Sequence, residues 1–433
     1  MNWWENLVDL WVSLSMSVRL ILLFLLGTVV GGQLNRAVYR WTWVPKNYDP
    51  WSKPLPGAPS RSIFDKVPVF GWLGLARESK LHGTAHWVQP FFVELGCGFF
   101  FAWYYHWLVD GELASITINT AMSQGAIHSL FVQHIVLISL MVIATFVDFD
   151  SRTIPDLVTI PGFVIGLVLC WLLPFVGLPI PGGPPYFGLA PAGRSIEAVP
   201  LNAATLDAWP AWFNGPWGLA IGLFLVVGWW IALSPKIVWT KWGMAKFFRY
   251  LIASFVRYAF RWFYLTLLAF LVLFVAAAWL WGGPATWQMV FTSLLGMAFA
   301  GMLIWMVRFF ASFAMGQEAM GFGDVTLMCM IGAYIGWQPV MVIFFLAPFI
   351  ACVFAIINYL LTGDAYLAYG PYLCIGTLVT MVFWAKIWQQ YGPLLGLGIW
   401  LPALFLALPI VLGVMLTVWV WIKFTFIYPK EAK

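Results

Sequence analysis

Charged side chains are scarce in this chain of 433 residues. Asp, Glu, Lys and Arg together make up 9% of it, whereas hydrophobic residues make up 62% and aromatic residues 19%. A soluble domain carries roughly 25% charged residues, and no soluble core could absorb this composition. We therefore predict an all-α polytopic membrane protein. The net charge of +5 is small, and its clustered Lys and Arg indicate topology rather than a nucleic-acid partner.

Cysteine is also scarce, and its spacing argues against a metal site or a disulfide framework. The five cysteines stand singly in apolar runs, none of them in a Cys-x-x-Cys pair, and are predicted to be small buried hydrophobic residues; they are Cys97, Cys170, Cys329, Cys352 and Cys374. The five histidines are spread over both predicted faces of the membrane, so no Ser–His or Cys–His grouping indicates a nucleophilic site.

Long apolar runs predict about eleven transmembrane helices. Residues 3–15 have helical spacing and should lie on the membrane or extend the first span. No Ala-x-Ala-like site follows that span, which favours an uncleaved anchor over a signal peptide. The predicted spans are about 17–32, 90–109, 128–147, 156–174, 216–233, 263–281, 287–311, 325–336, 340–361, 371–384 and 400–421.

The basic residues predict the orientation of these spans. With the N-terminus outside and the C-terminus cytoplasmic, all Lys and Arg except Arg19, Arg194 and Lys386 fall on the cytoplasmic side. A polar loop at 33–89 is then cytoplasmic, and a Pro- and Gly-rich loop at 175–213 lies outside. Residues 236–261 combine Lys and Arg with Trp and Phe, which suits a segment lying on an anionic inner leaflet.

Two aspartates are the candidate functional groups. Asp324 follows Gly321 and Gly323 between two apolar runs, and an ionisable group at the edge of a span indicates function. Asp148 ends the third predicted span, and the four crossings between the two aspartates bring both to the same face. Two close carboxylates share one proton, as general acid–base chemistry requires. Taken alone, Asp148 could equally be a helix cap or a loop residue.

These aspartates stand in motifs that resemble a known family. The runs Val147–Asp156 and Gly321–Asp324, together with Gly31–Asn35, Tyr39-Arg40, Val67–Trp72, Pro90–Leu95 and Tyr369–Leu373, resemble the type IV prepilin peptidases. The resemblance implies an aspartic-type endopeptidase of the bacterial inner membrane with Asp148 and Asp324 as its catalytic pair. Gly321, Gly323, Asp150, Pro155 and Asp156 would be supporting motif residues, although Asp150 and Asp156 also fit a capping role.

The same resemblance implies a substrate and cofactors. The substrate would be a prepilin or pseudopilin preprotein with a short basic leader and a hydrophobic helix, cleaved at the cytoplasmic face. Many members also methylate the new N-terminus with S-adenosylmethionine. Expected partners are thus the preprotein and the lipid bilayer, with no nucleic acid.

The chain departs from the family in its polar loop, in the residue after the aspartate motif and in length. Members commonly carry two Cys-x-x-Cys pairs in that loop, whereas residues 33–89 contain no cysteine. No zinc is therefore expected, and aromatic and proline residues should order the loop instead. Thr326 stands where lysine is frequent. S-adenosylmethionine would be needed only if methylation is retained, and we favour the interpretation that methylation is lost.

The motifs also divide the chain into predicted parts. Residues 1–110 form the N-terminal part, 111–175 and 285–388 the two halves of the peptidase core, 176–284 an insertion with two extra spans, and 389–433 an extra C-terminal span. Two other functions stay open. One is a transporter or channel in which the aspartates bind a cation or relay protons, although the hydropathy shows no inverted repeat. The other is an inactive peptidase-like assembly factor, against which the two motif aspartates argue.

Overall fold

The computed structural model describes residues 2–46, 49–54, 56–109, 123–173, 177–181, 198–204, 209–233, 261–363, 368–395 and 400–423, and a few isolated positions between 249 and 257 and at 425. Most of the basic segment predicted at 236–261 therefore lies outside the described residues. Within them the chain is largely helical, in agreement with the predicted all-α class.

The helices, numbered here in chain order, follow the predicted apolar segments closely. Each of the eleven predicted spans coincides with one helix or the larger part of one. The helices are α1 (Asn2–Val12), α2 (Met16–Trp41), α3 (Phe70–Leu75), α4 (Ser79–His82), α5 (Val88–Val109), α6 (Gln124–Ser151), α7 (Asp156–Leu172), α8 (Pro216–Leu233), α9 (Trp262–Trp281), α10 (Gly283–Met315), α11 (Phe322–Ile335), α12 (Trp337–Thr362), α13 (Gly370–Val382), α14 (Trp384–Leu395) and α15 (Trp400–Ile422).

Not all of these helices are long and apolar enough to cross a membrane. Seven meet that test among the described residues, namely α2, α6, α8, α9, α10, α12 and α15. Helices α13 and α14 are bent by 88° at Phe383 and would make an eighth span if taken together. The protein is therefore a multi-pass membrane protein, while the number eleven and the orientation stay predictions.

Helix α11 occupies the centre of the bundle. All its residues from Asp324 to Ile335 are buried, between α7, α10, α12 and α13. Its 14 residues span about 21 Å at 1.5 Å per residue, which is less than the roughly 30 Å of the hydrocarbon core. Gly332 and Gly296 lie against each other's backbone, so that α11 and α10 cross closely, as small residues permit in membrane helices.

One end of the bundle is closed by irregular chain. Strands β1 (Pro179–Pro181) and β2 (Ala198–Pro200) pair antiparallel there, a short element that hydropathy did not predict. The indole N–H of Trp384 donates to the Pro179 carbonyl (3.1 Å), and that of Trp337 to the Ala203 carbonyl (3.1 Å). These hydrogen bonds satisfy loop carbonyls that packing would otherwise leave unpaired.

The polar loop is held by ion pairs as well as by some of the expected aromatic residues. Among its described aromatic residues Trp72 is fully buried, but Trp43, Phe64 and Phe70 are largely exposed. Two ion pairs replace them in the interior, Arg61–Glu78 (3.1 Å) and Arg77–Asp65 (2.6 Å). Trp87 packs against the cluster of Tyr39, Trp72 and Leu75, so aromatic residues contribute to the loop together with the ion pairs.

Candidate active site

Asp148 lies in the last turn of α6, 5% exposed. The helix ends there because Arg152 adopts a left-handed conformation (φ 54°) and its N–H donates to the Asp148 carbonyl (2.8 Å). The backbone N–H of Gly370, at the start of α13, hydrogen-bonds to the Asp148 carboxylate. A side chain at position 370 would stand 2.7 Å from Asp148 Oδ2, so glycine is required there for the carboxylate to keep its place.

Asp324 lies in the first turn of α11, 7% exposed. Gly321 is the N-cap residue of this helix, with φ −65° and ψ 151°. The backbone N–H of Gly321 hydrogen-bonds to the Asp324 carboxylate, which is the return bond of a capping box. Asp324 thus fulfils the capping role that helix-start aspartates commonly have, while its carboxylate also lines a cavity.

Gly323 brings the two helix ends together. The Cβ of any other residue at this position would lie 2.9 Å from the Ile154 Cβ and 3.2 Å from the Ile154 backbone nitrogen and oxygen. The start of α11 therefore packs directly on the turn that follows Asp148. In this way the second glycine of the Gly-x-Gly-Asp motif is explained by close backbone approach.

The two aspartates line one cavity of about 510 Å³. It lies where α6 ends and α7, α11 and α13 begin, and its rim includes the exposed Arg152 and Thr153. The remaining lining residues are Ile154, Asp156, Ala319–Gly323, Ala368 and Tyr369. The two carboxylates are close enough to repel each other, the arrangement in which a pair holds one proton.

The other predicted site residues are divided between the cavity and its surroundings. Gly321, Gly323 and Asp156 line the cavity, and Pro155 is the N-cap residue of α7, which begins at Asp156. Asp150 is exposed and forms an ion pair with Lys46 (2.6 Å), away from the two carboxylates. It ties the start of the polar loop to the end of α6, together with the hydrogen bond from the Trp43 N–H to Ser151 Oγ (3.0 Å).

Sequence reasoning missed Arg308, which is fully buried in α10 beneath the Gly-x-Gly-Asp motif. It contributed only to the count of basic residues by which the topology was predicted. The available signal was a charged residue near the end of a long apolar run, the same criterion that selected Asp324. The contributions of Tyr369 to the cavity and of Gly370 to the Asp148 carboxylate were missed as well, because their motif served only as a point of resemblance to the family.

The polar loop does not fit the zinc site of the family. It offers no cysteine thiolate, and its buried carboxylates Asp49, Asp65 and Glu78 are already paired with arginines. The hydrogen bond from Arg77 holds the pKa of Asp65 at about 2, well below its usual value. These carboxylates are therefore committed to ion pairs that hold the loop together.

A small cavity lies between the polar loop and helices α2 and α5. That cavity measures about 190 Å³ and is lined by Trp51, Lys66, Trp72 and Glu94, among others, whereas small-molecule sites are typically about 300 Å³ or more. The Glu94 carboxylate already accepts hydrogen bonds from the Val69 N–H, from Trp72 Nε1 (2.7 Å) and from Asn35 Nδ2 (3.4 Å).

Fold and site together define a multi-pass helical membrane protein with two buried carboxylates on one cavity at the end of its bundle. Comparison with known proteins finds similarity to one family over part of the chain. The type IV leader peptidase family matches residues 261–356, a range that includes Asp324 and α11. It begins within the segment predicted as an insertion.

Several curated relatives share one name with each other. The prepilin leader peptidase/N-methyltransferase of Pseudomonas aeruginosa is 28% identical over 102 residues, which are 23% of this chain and 35% of the relative. That of Aeromonas salmonicida is 30% identical over 98 residues (22% and 34%), and that of Escherichia coli 29% over 91 residues (21% and 40%).

The chain thus matches about a third of the length of the first of these relatives. No solved structure matches it. The resemblance to the type IV prepilin peptidases, first seen in the motifs, is confirmed by the match of residues 261–356 to the type IV leader peptidase family.

Proposed function

We propose that this protein is a membrane-embedded aspartic endopeptidase that removes the leader of type IV prepilin-like or pseudopilin preproteins. The observation that carries the proposal is the pair of buried carboxylates, Asp148 and Asp324, lining one cavity with an exposed rim. The family match over residues 261–356 supports the same reaction. Cleavage would take place at the cytoplasmic face of a bacterial inner membrane.

The pair can act as general acid and general base in turn. At neutral pH the repulsion between the two carboxylates favours a state with one shared proton. The ionised carboxylate removes a proton from a water molecule, which attacks the scissile carbonyl carbon, while the protonated one donates a hydrogen bond to the carbonyl oxygen. The proton is then transferred to the leaving amine, and the pair returns to its singly protonated state.

The position of the cavity suits a substrate that is part leader and part membrane helix. The rim residues Arg152 and Thr153 are exposed, whereas the two carboxylates lie deeper among the helix ends. A leader can therefore enter from the aqueous side while the hydrophobic helix that follows stays in the bilayer. We propose that the scissile bond lies at this boundary, next to the first turn of α11.

We propose that the protein cleaves without methylating the product. The relatives are named as both peptidases and N-methyltransferases, but here the cavity beside Glu94 is small and its carboxylate is committed to three donors. Mass spectrometry of the cleaved product, made in the presence of S-adenosylmethionine, should show an unmodified N-terminus. A product heavier by one methyl group would contradict this part of the proposal.

The dyad is tested by replacing each aspartate with asparagine, which keeps the shape and loses the titrating group. Asp148→Asn and Asp324→Asn should each lower the cleavage of a preprotein in proteoliposomes by about 10³-fold or more, in the range of general acid–base catalysis. The double variant should be no slower than the single ones, because the two groups act as a unit.

Asp150→Asn is the matched control, since Asp150 lies on the same turn but is exposed and paired with Lys46. It should cleave within about threefold of wild type, as an exposed ion pair contributes little. Near-normal cleavage by Asp148→Asn or by Asp324→Asn would refute the dyad. If the wild-type protein carries an ion or proton flux across the membrane and both variants lose it, the transporter function is favoured instead.

A further inference from the structure

A buried arginine lies directly behind the loop that carries Asp324. Arg308 belongs to α10 and is 1% exposed. Its Nε–H donates to the Met320 carbonyl (2.8 Å), and its Nη2 donates to the carboxylate of Glu318 (2.5 Å). Its guanidinium carbon also stands 5.4 Å from the centre of the Phe322 ring. One side chain thus contacts three positions of the segment that leads into α11.

A second side chain of α10 holds the same loop. Ser312 is one helical turn beyond Arg308 and is fully buried, and its Oγ accepts the N–H of Ala319 (3.0 Å). The loop itself begins at Gly316, which ends α10 in a left-handed conformation (φ 65°). It runs to Gly321, the residue whose N–H binds the Asp324 carboxylate. The position of this N–H therefore depends on how α10 holds Ala319 and Met320.

Stability alone does not account for an arginine at this position. Removing a guanidinium from water costs several kcal/mol, and an apolar side chain of similar size is often as stable or more so. Here the ionic partner, Glu318, is 61% exposed, which weakens the compensating attraction. The Nη1 nitrogen is buried and makes no hydrogen bond to the residues that the structure describes. What Arg308 contributes instead is a fixed loop and a positive charge near Asp324.

We propose that Arg308 is a positioning residue for the catalytic pair. It holds the loop at 316–321 against α10 so that Gly321 can fix the Asp324 carboxylate, and its charge stabilises the single negative charge of the Asp148–Asp324 pair. This inference rests on the proposed peptidase function for its kinetic consequences. Its structural part, the fixed loop, does not depend on any activity.

The charge environment determines the pH dependence that the inference predicts. Among the described residues, the titratable and charged groups around Asp324 are Asp148 on α6, Arg152 and Asp156 on the following turn and α7, Glu318 on the loop, Tyr369 before α13, Cys374 on α13 and Arg308 on α10. Removing the Arg308 charge disfavours ionisation of the pair. The acidic limb of the pH–rate profile should then move to higher pH, because cleavage requires one ionised carboxylate.

Two substitutions separate the charge from the hydrogen bonds. Arg308→Gln removes the charge, and cleavage should fall about 100-fold in kcat with little change in KM, with the acidic limb about one unit higher. Arg308→Lys keeps the charge but cannot hold Met320 and Glu318 together, so kcat should fall about tenfold with an unshifted limb. Lys386→Gln, which removes one cation on α14 far from the loop, should behave as wild type.

Hydrogen exchange of the peptide covering 316–324 tests the same inference without catalysis. In Arg308→Gln this peptide should exchange at least about tenfold faster than in wild type, since the loop loses two of its ties to α10, while peptides of α6 stay unchanged. Wild-type exchange together with wild-type kcat and pH profile in Arg308→Gln would overturn the inference. If wild type itself does not cleave, the proposed function fails, and exchange alone decides whether Arg308 positions the loop.

Discussion

The substitution Gly323→Ala tests whether the two helix ends must touch for the site to work. A methyl group at position 323 would meet the Ile154 Cβ at 2.9 Å and the Ile154 backbone nitrogen and oxygen at 3.2 Å. Ordinary contacts between non-bonded carbon atoms are about 3.5 Å or longer. Because backbone atoms cannot turn aside as a flexible side chain can, α11 and the turn after Asp148 must move apart by roughly 0.5 Å.

This displacement sets the expected loss of activity. A misplacement of about 1 Å in a catalytic site can lower the rate by about 10²-fold. A separation of half that size between Asp148 and Asp324 should therefore lower kcat by about 10- to 100-fold, equivalent to about 1.4–2.7 kcal/mol in transition-state stabilisation. KM should change little. The proposed substrate-binding rim at Arg152 and Thr153 is exposed, and the atoms nearest to the added methyl group belong to Ile154.

Gly321→Ala is the matched control within the same motif. Its added methyl group would lie 3.6 Å from Asp324 Oδ2, an ordinary contact, and its backbone (φ −65°, ψ 151°) suits any residue. Alanine is a weaker N-cap than glycine, so a loss of no more than about threefold is expected. Cleavage would be followed in proteoliposomes at saturating preprotein. Equal losses in the two variants, or near-normal cleavage by Gly323→Ala, would refute the argument from close approach.

Three further predictions concern the polar loop and the topology. Arg77 lowers the pKa of Asp65 to about 2. The pair should therefore stabilise the folded loop above about pH 4, and this stabilisation should be lost as Asp65 becomes protonated on the way to pH 2. The effect is about 1 kcal/mol after allowance for the partly exposed Arg77. Thermal unfolding of Asp65→Asn should therefore match wild type at low pH only. Peptidase activity should survive a chelator, and stoichiometric zinc in purified protein would contradict this. A cysteine at position 240 should react with impermeant reagents from the cytoplasmic side, and labelling from outside would reverse the predicted orientation.

The helical segments were predictable because apolar runs of this length have few alternatives. All eleven predicted segments coincide with helices, and the prediction that Asp148 and Asp324 emerge on one face agrees with their common cavity. The four crossings between the two aspartates stay a prediction, because α7 stands between them and is shorter than the helices α8, α9 and α10 that meet the length test for a span.

The order of the polar loop and the surroundings of the carboxylates were less predictable. Arg61 and Glu78 are 17 positions apart, and Arg308 contacts Glu318 and Met320 across a turn, so neither set of contacts leaves a periodic pattern in the sequence. The aromatic and proline content of the loop was visible in the sequence, but it did not indicate that Arg61 and Arg77 pair with Glu78 and Asp65. Gly370 illustrates the same limit. Glycine is needed there because a side chain would collide with Asp148, which is far away along the chain.

The contacts that fix the two carboxylates explain how the site can accommodate the long segment between Asp148 and Asp324. Each carboxylate is bound by a backbone N–H, Asp148 by that of Gly370 and Asp324 by that of Gly321, and α10 holds the loop of the second. Helices α8 and α9, from the segment predicted as an insertion, pack on each other and on α10, and neither lines the cavity. Because neither helix touches the groups that fix the pair, this part of the bundle can vary without moving them, although α9 lies within the range that matches the leader peptidase family and the insertion stays a prediction. For the same reason, substitutions in α8 or α9 should affect the stability of the bundle before they affect the rate of cleavage.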